Sequence, residues 1–102
     1  MKSIHVILPF HLLKLAGIGQ GDEVSLEVDE PVTLNAVVDA LERDWPPLRG
    51  TIRNPYKSTR RPLVRFFACG ADISHNPLTD VLPEPIQCGD EPLIVIGAIA
   101  GG

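Results

Sequence analysis

One segment of the chain has a clear helical period, and it constrains the fold more than any other feature. In the stretch TLNAVVDALERDWPP, which begins at Thr33, apolar residues recur at the i, i+3, i+4 and i+7 positions of one helical face: Leu34, Val37, Val38 and Leu41. Thr33 is expected to be the N-cap, and the pair Pro46-Pro47 is expected to end the helix. A helix with such a stripe must bury it, and one face of a sheet is the natural place.

Four other segments have the patterns of β-strands. Residues 2–9, 23–29 and 63–68 alternate between apolar and other side chains, which is the period of a strand with one buried face. Residues 92–100, PLIVIGAIA, are apolar without alternation. Such a strand is either covered on both faces or turns one face to a partner.

The predicted order is strand, strand, helix, strand, irregular segment, strand. If the last strand lies beside the first in the middle of the sheet, its apolar run is explained. This order predicts an α+β fold of the β-grasp type, with a mixed sheet of four to five strands packed on one main helix. A loop is expected at residues 48–62 and one helical turn at residues 77–82. With 102 residues the chain is expected to be one domain, residues 1–102, ending in a flexible Gly-Gly tail.

Composition and charge argue against several partners. The formal net charge is −4, so nucleic acid is not expected as a partner, although six of the nine basic residues lie between residues 49 and 65. This basic stretch, which includes Arg60 and Arg61, is more typical of a solvated loop or of a docking surface for an acidic partner. No apolar run approaches the roughly 20 residues of a membrane span, and polar residues interrupt the N-terminal apolar segment. No membrane association is expected.

The side chains form no evident catalytic or metal-binding motif. Cys69 and Cys88 make no CxxC pattern and the three histidines share no ligand spacing, so a reduced, cytoplasmic protein without a metal is expected. Asp72, Ser74 and His75 are close in sequence, but neighbours on an extended chain point apart. Their residue types therefore favour a turn over a catalytic triad.

The sequence ends in Ala100, Gly101 and Gly102, and this end is the strongest candidate for covalent chemistry. Glycine lacks Cβ, so the last residues can pass through a slot on a partner that would exclude any side chain. From Gly97 to Gly102 an extended chain spans about 20 Å, enough to carry a carboxylate into another protein's active site. That carboxylate is ionised at neutral pH and is a poor electrophile, so it needs activation, for example by adenylation, before sulfur or an amine attacks it.

Several segments resemble the MoaD/ThiS family of ubiquitin-like sulfur carriers. GDEPLIVIGAIAGG, residues 89–102, looks like the family's turn, apolar strand and closing Gly-Gly. LLKLAG, residues 12–17, is similar to the family's segment after the first strand, and the helix that starts at Thr33-Leu34 is similar to the family helix. Gly97 stands where a proline is frequent in the family, which is expected to loosen the tail.

The resemblance implies a carrier protein and not an enzyme. Gly102 would be adenylated by an ATP-using enzyme related to ubiquitin-activating enzymes and converted to a thiocarboxylate with a sulfur donor, while Gly101 and Ala100 thread the active site. The thiocarboxylate would pass its sulfur to an acceptor synthase. The large subunit of molybdopterin synthase is favoured, and thiamine, amino-acid and siderophore pathways are the alternatives. No cofactor is expected to be bound to the chain itself.

Two other functions stay open, and each makes a different use of the surface. A lysine can attack the same activated carboxylate, which would make the chain a protein modifier. Alternatively, the tail is idle and the basic loop docks to a partner through Arg60 and Arg61. For the carrier, Phe67, Ile94 and Ile96 are expected to form an exposed apolar patch for the activating enzyme. The pattern leaves open which face of the last strand points outward.

Overall fold

A computed structural model describes residues 1–19, 21–54, 56 and 59–97 of the chain. Its strands are β1 Lys2–Ile7, β2 Glu23–Val28, β3 Val64–Ala68, β4 Ala71–Asp72 and β5 Leu93–Gly97. Its helices are α1 Phe10–Ala16, α2 Leu34–Asp44 and α3 Glu84–Gln87, with a short 3-10 helix at Pro46–Leu48.

The five strands form one mixed sheet in the order β2-β1-β5-β3-β4. β1 and β2 pair as an antiparallel hairpin, β5 runs parallel to β1, and β3 runs antiparallel to β5. The last strand therefore lies beside the first in the centre of the sheet. The predicted α+β architecture, a mixed sheet with one main helix, is confirmed.

The main helix α2 begins and ends as the sequence predicts. The Thr33 hydroxyl oxygen accepts a hydrogen bond from the Ala36 N–H at 3.0 Å, which satisfies a first-turn donor that has no partner within the helix. At the other end, the Trp45 N–H donates to the Leu41 carbonyl, and the chain continues into the 3-10 helix at Pro46. The predicted apolar stripe of α2 is buried.

The core lies between α2 and the inner face of the sheet. β1, β2, β3 and β5 contribute alternate side chains to it, as a two-residue period requires, whereas both residues of β4 are exposed. α1 closes the core with its own buried leucines. The buried strand and α1 residues are Ile4, Val6, Leu12, Leu13, Val24, Leu26, Val28, Val64, Phe66, Ala68, Leu93 and Val95.

The predicted helical turn at residues 77–82 is wrong. A tight turn occupies its first residues, where the Asp80 N–H donates to the Pro77 carbonyl at 3.1 Å, and Val81 then forms a bridge with Thr33. The helical turn comes later, as α3, after the N-cap Pro83. Proline is pre-organised for the first turn of a helix, and α3 has Pro85 there.

The described parts of the segment at residues 48–62 are more ordered than the loop that the sequence predicts. Leu48 and Ile52 are fully buried, and Arg53 forms an isolated antiparallel bridge with Arg60. The segment is therefore packed against the domain at its base. β4, only two residues long, was also not predicted.

Candidate functional site

Ala100, Gly101 and Gly102, which the sequence predicts to carry and thread the reacting carboxylate, lie outside the described residues. The structure does describe the strand that leads to them. β5 is hydrogen-bonded to β1 on one side and to β3 on the other, and Gly97 pairs with Val64 at its end. Chain that continues beyond Gly97 therefore starts from a central strand of the sheet.

The face of β5 turned away from α2 carries the predicted apolar residues. The odd-numbered residues Leu93 and Val95 are buried, whereas Ile94 is half-buried and Ile96 is 48% exposed. Phe67 of β3 pairs directly with Ile94 and is also half-buried. The structure thus brings these three side chains to one face, and we call Phe67, Ile94 and Ile96 the outer-face strip.

On the β1–β2 side, the half-buried Ile7 pairs with Ile94, and polar side chains on the same face lie around and beyond it. The Ser3 hydroxyl donates to Glu27 Oε1 at 2.7 Å, and the Ser25 hydroxyl oxygen lies 3.1 Å from His5 Nδ1. Glu23 Oε2 is 3.7 Å from the same His5 nitrogen. This edge of the face is therefore polar and carries two carboxylates.

An ion pair borders the strip on the β3–β4 side. Arg65 Nη1 lies 3.2 Å from Asp72 Oδ2, and the Ser74 N–H donates to Asp72 Oδ1 at 2.9 Å. Hydrogen bonds from Ser74, first from its side chain and then from its main chain, hold the pKa of Asp72 below its ordinary value, and the charge of Arg65 acts in the same direction. The strip is thus an apolar band between two polar borders.

Arg60, one of the two arginines predicted to dock a partner, is used within the protein. Its Nε donates to the Ser74 carbonyl at 2.8 Å and its Nη1 to the Val64 carbonyl at 2.7 Å. Longer bonds reach the carbonyls of Arg61 and Pro62. The guanidinium of Arg60 therefore joins the basic stretch to β3 and to the turn after β4.

The other arginines of the basic stretch differ from one another. Arg61 is exposed and its Nε donates to the Gly50 carbonyl at 2.8 Å. Arg53 forms ion pairs with two α2 carboxylates, at 2.8 Å to Asp39 and 3.2 Å to Glu42. The stretch is therefore partly neutralised, and of the two predicted docking arginines it is Arg61 that lies on the surface.

The remaining polar candidates from the sequence are a buried serine with a structural role and two free cysteines. Ser74 is buried, its hydroxyl oxygen accepts from the Phe66 N–H at 2.8 Å, and its own N–H donates to Asp72 Oδ1. Cys69 and Cys88 are exposed free thiols. Within the described ranges, no group of three or more His, Cys, Asp or Glu residues could hold a metal ion. No helix in that part of the chain is long and apolar enough to cross a membrane.

Solved structures of small proteins have the same architecture over nearly their whole length. The crystal structure of the small archaeal modifier protein 1 of Haloferax volcanii aligns over 98% of this chain and 99% of that chain, with a TM-score of 0.72 and 20% identity. The same modifier from Methanosarcina acetivorans aligns over 100% and 98%, with a TM-score of 0.72 and 18% identity. A chain of the BexX/CysO complex of Amycolatopsis orientalis aligns over 96% of this chain and 98% of that chain, with a TM-score of 0.70 and 16% identity.

The chain has a ubiquitin-like β-grasp fold. The structural neighbours are β-grasp proteins of the MoaD/ThiS type, so the fold that the resemblance implies is confirmed. By sequence alone, no protein-family profile and no curated protein matches the chain.

In this β-grasp domain the outer-face strip and the root of the tail lie on one strand. Ile96 precedes Gly97 directly, and both belong to β5. A partner that covers Ile96 therefore lies next to the point from which the tail departs. The described residues thus place a partly exposed apolar strip next to the last described residue before the chain's glycine-rich end.

Proposed function

We propose that the protein is a ubiquitin-like sulfur carrier whose reacting group is the carboxylate of Gly102. The observation that supports this most directly is the exposed apolar strip on the central strand β5, the strand that leads to the Gly-Gly sequence. An enzyme that binds the strip has the tail beside its docking site. The tail, about 20 Å long when extended, then reaches a buried active site while the domain stays outside.

The chemistry requires a carboxylate from this chain and activation by the partner. A carboxylate oxygen of Gly102 attacks the α-phosphorus of ATP, pyrophosphate leaves, and an acyl-adenylate forms. Hydrosulfide then attacks the acyl carbon, the bond from that carbon to the AMP oxygen breaks, and AMP leaves with the electron pair. The sulfur loses its proton to solvent, which gives a thiocarboxylate without any oxidation or reduction.

The proposed partners follow from these steps. The first is a ubiquitin-activating-enzyme-like adenylyltransferase in the cytoplasm, which binds the ATP and the sulfur source. The second is an acceptor synthase, for which the large subunit of molybdopterin synthase is the favoured candidate. Consumption of the thiocarboxylated chain by that purified subunit and its substrate would support this acceptor, and an unchanged thiocarboxylate would exclude it.

The first experiment is an intact-mass measurement. The chain is incubated with the adenylating enzyme of its source organism, ATP and sulfide, and the expected product has one oxygen replaced by one sulfur. Deletion of Gly102 should abolish the exchange. If the full chain shows no exchange under conditions in which the enzyme consumes ATP with it, the carrier function is excluded.

The second experiment tests the docking face. Ile96→Asp places a charge in the outer-face strip and should raise the KM of adenylation by at least about tenfold, because a charge buried without a partner in an apolar interface is costly. Ser25→Asp is the matched control, since Ser25 lies on the same face but on β2, outside the strip. Equal KM values for the two variants would contradict the assignment of the strip.

A second candidate function is protein modification. It is favoured by the likeness to two proteins named as small archaeal modifiers. Here a lysine amine attacks the acyl-adenylate, AMP leaves, and an isopeptide bond to Gly102 forms. Adducts in cell lysate that vanish when Gly102 is deleted would support this function, and a lysate that contains only the free chain would exclude it.

A further inference from the structure

A groove opens at the root of the tail, where β5 ends. Its lining comes from α1, from the basic segment and from β3, and the residues that matter are His11, Thr51, Arg61, Leu63, Val64 and Gly97. None of its lining residues is Asp or Glu. The groove therefore has apolar walls and two basic side chains.

Gly97 keeps this groove open. A Cβ at position 97 would lie 3.2 Å from His11 Cε1 and 3.4 Å from His11 Nε2, closer than most real Cβ contacts. Gly97 does not have the positive φ that favours glycine elsewhere in the chain, so the backbone itself would accept another residue. The absence of a side chain thus serves the close approach of the imidazole. This close approach places Gly97 against α1. The expected loosening concerns the tail beyond Gly97, which lies outside the described residues.

Arg61 is the arginine that both lines the groove and has guanidinium donors to spare, whereas Arg49 is exposed but lies outside the groove. Arg53 and Arg65 each have a carboxylate within 3.2 Å, and Arg60 is bonded to main-chain carbonyls. No ion pair among the described residues includes Arg61, whose Nε bond to the Gly50 carbonyl leaves other guanidinium donors. Neutral imidazole also retains one N–H donor in either tautomer, so His11 adds a second donor.

We propose that this groove binds a carboxylate side chain, flanked by apolar residues, of the protein partner that receives the tail. The proposal rests on the proposed function only in requiring such a partner. A partner that takes in the tail up to Gly97 comes against the root of the tail, which is where the groove lies. A groove with a cation, a second donor and apolar walls complements an acidic residue between apolar ones, even though the chain as a whole is acidic.

The test uses two short peptides, acetyl-Leu-Glu-Leu-amide and its Gln counterpart, in an NMR titration of the ¹⁵N-labelled full chain. The Glu peptide should shift the amide signals of His11, Thr51, Arg61 and Gly97, and it should bind at least about fivefold more tightly than the Gln peptide because its bond to Arg61 is charge-assisted. Equal affinities, or shifts confined to other residues, would overturn the proposal. So would tighter binding of inorganic phosphate or of a single-stranded oligonucleotide, because that result would assign the groove to a phosphate ligand.

Three variants complete the test. Arg61→Gln should remove the preference for the Glu peptide, and Gly97→Ala should weaken binding by filling the groove while Arg61 is kept. Arg49→Gln is the control, because Arg49 is an exposed residue of the same segment that does not line the groove. If the NMR spectrum shows that the Gly97→Ala variant is folded and the variant binds the Glu peptide as tightly as the wild type, the proposal is overturned. The peptide titration does not involve Gly102. A failed sulfur exchange would therefore leave the groove proposal standing, and a failed peptide titration would leave the sulfur-carrier proposal standing.

Discussion

Replacement of Arg60 by methionine should destabilise the fold far more than replacement of an ordinary surface arginine. Methionine keeps much of the apolar stem but removes the guanidinium that holds the basic segment against β3 and the turn after β4. The carbonyls of Ser74 and Val64 then lose a charged donor. The effect on the free energy of unfolding follows from these two short bonds.

The two bonds are 2.8 and 2.7 Å long, and hydrogen bonds to charged groups contribute about 1.5–3 kcal/mol each. Arg60 is half-exposed, so solvent screens the bonds and the lower end of the range applies. The expected loss is therefore about 3 kcal/mol. The longer bonds to Arg61 and Pro62 are too weak to change this value much.

Urea unfolding followed by circular dichroism measures the loss, with the slope m expected to stay unchanged. Arg49→Met is the control, because Arg49 is exposed, and its free energy should change by no more than about 0.5 kcal/mol. A loss below about 1 kcal/mol for Arg60→Met would refute the reasoning, since that is the range of a single neutral hydrogen bond. A large loss would mean that only Arg61 can be used to test docking by charge reversal.

Three further outcomes are expected. Thr33→Ala should lower the free energy of unfolding by about 1 kcal/mol, because a first-turn N–H loses its acceptor, and urea titration measures this. In the same assay Phe66→Ala should cost about 3–5 kcal/mol and Phe67→Ala clearly less, since the first ring is buried in the core and the second is half-exposed. The fold lowers the pKa of Asp72, so its stabilisation is present above the ordinary value of 3.8 and is lost as the pH falls through the lowered value. The free energies of unfolding of the wild type and Asp72→Ala, measured at a series of acid pH values, should therefore converge as the pH falls below 3.8.

A specific result would contradict each of these three predictions. A Thr33→Ala variant as stable as the wild type would mean that the cap is not needed. Equal losses for the two phenylalanine variants would contradict the assignment of the faces of β3. A stability difference at Asp72 that stays constant through the acid range would show that its carboxylate is not stabilised by the fold.

The features that were predictable from the sequence depend on residues close to one another along the chain. The period of α2 and its Thr33 cap are such features, and so is the alternation in β1, β2 and β3. The central place of β5 followed from its unbroken apolar run. That run had two explanations, and the 48% exposure of Ile96 agrees with the second, in which one face is open.

The features that could not be predicted depend on distant parts of the chain. The sequence shows the charge of Arg60 but not the carbonyls of Ser74 and Val64 that its guanidinium meets, because those contacts form only when β3 and β4 have paired. In the same way, the role of Gly97 depends on His11, at the other end of the sequence. The helical turn was misplaced because prolines at 77, 83 and 85 offered several starting points.

The parallel pairing of β1 with β5 determines how the domain responds to mechanical load. Val6 pairs with Leu93 and Ile7 with Ile94, and the two strands point the same way. A pull on the tail against a fixed N-terminal side therefore slides the two strands along each other and loads their hydrogen bonds together. The bonds cannot open one after another, as they do when two strands are peeled apart. The domain can thus resist a force that is applied through its C-terminal end.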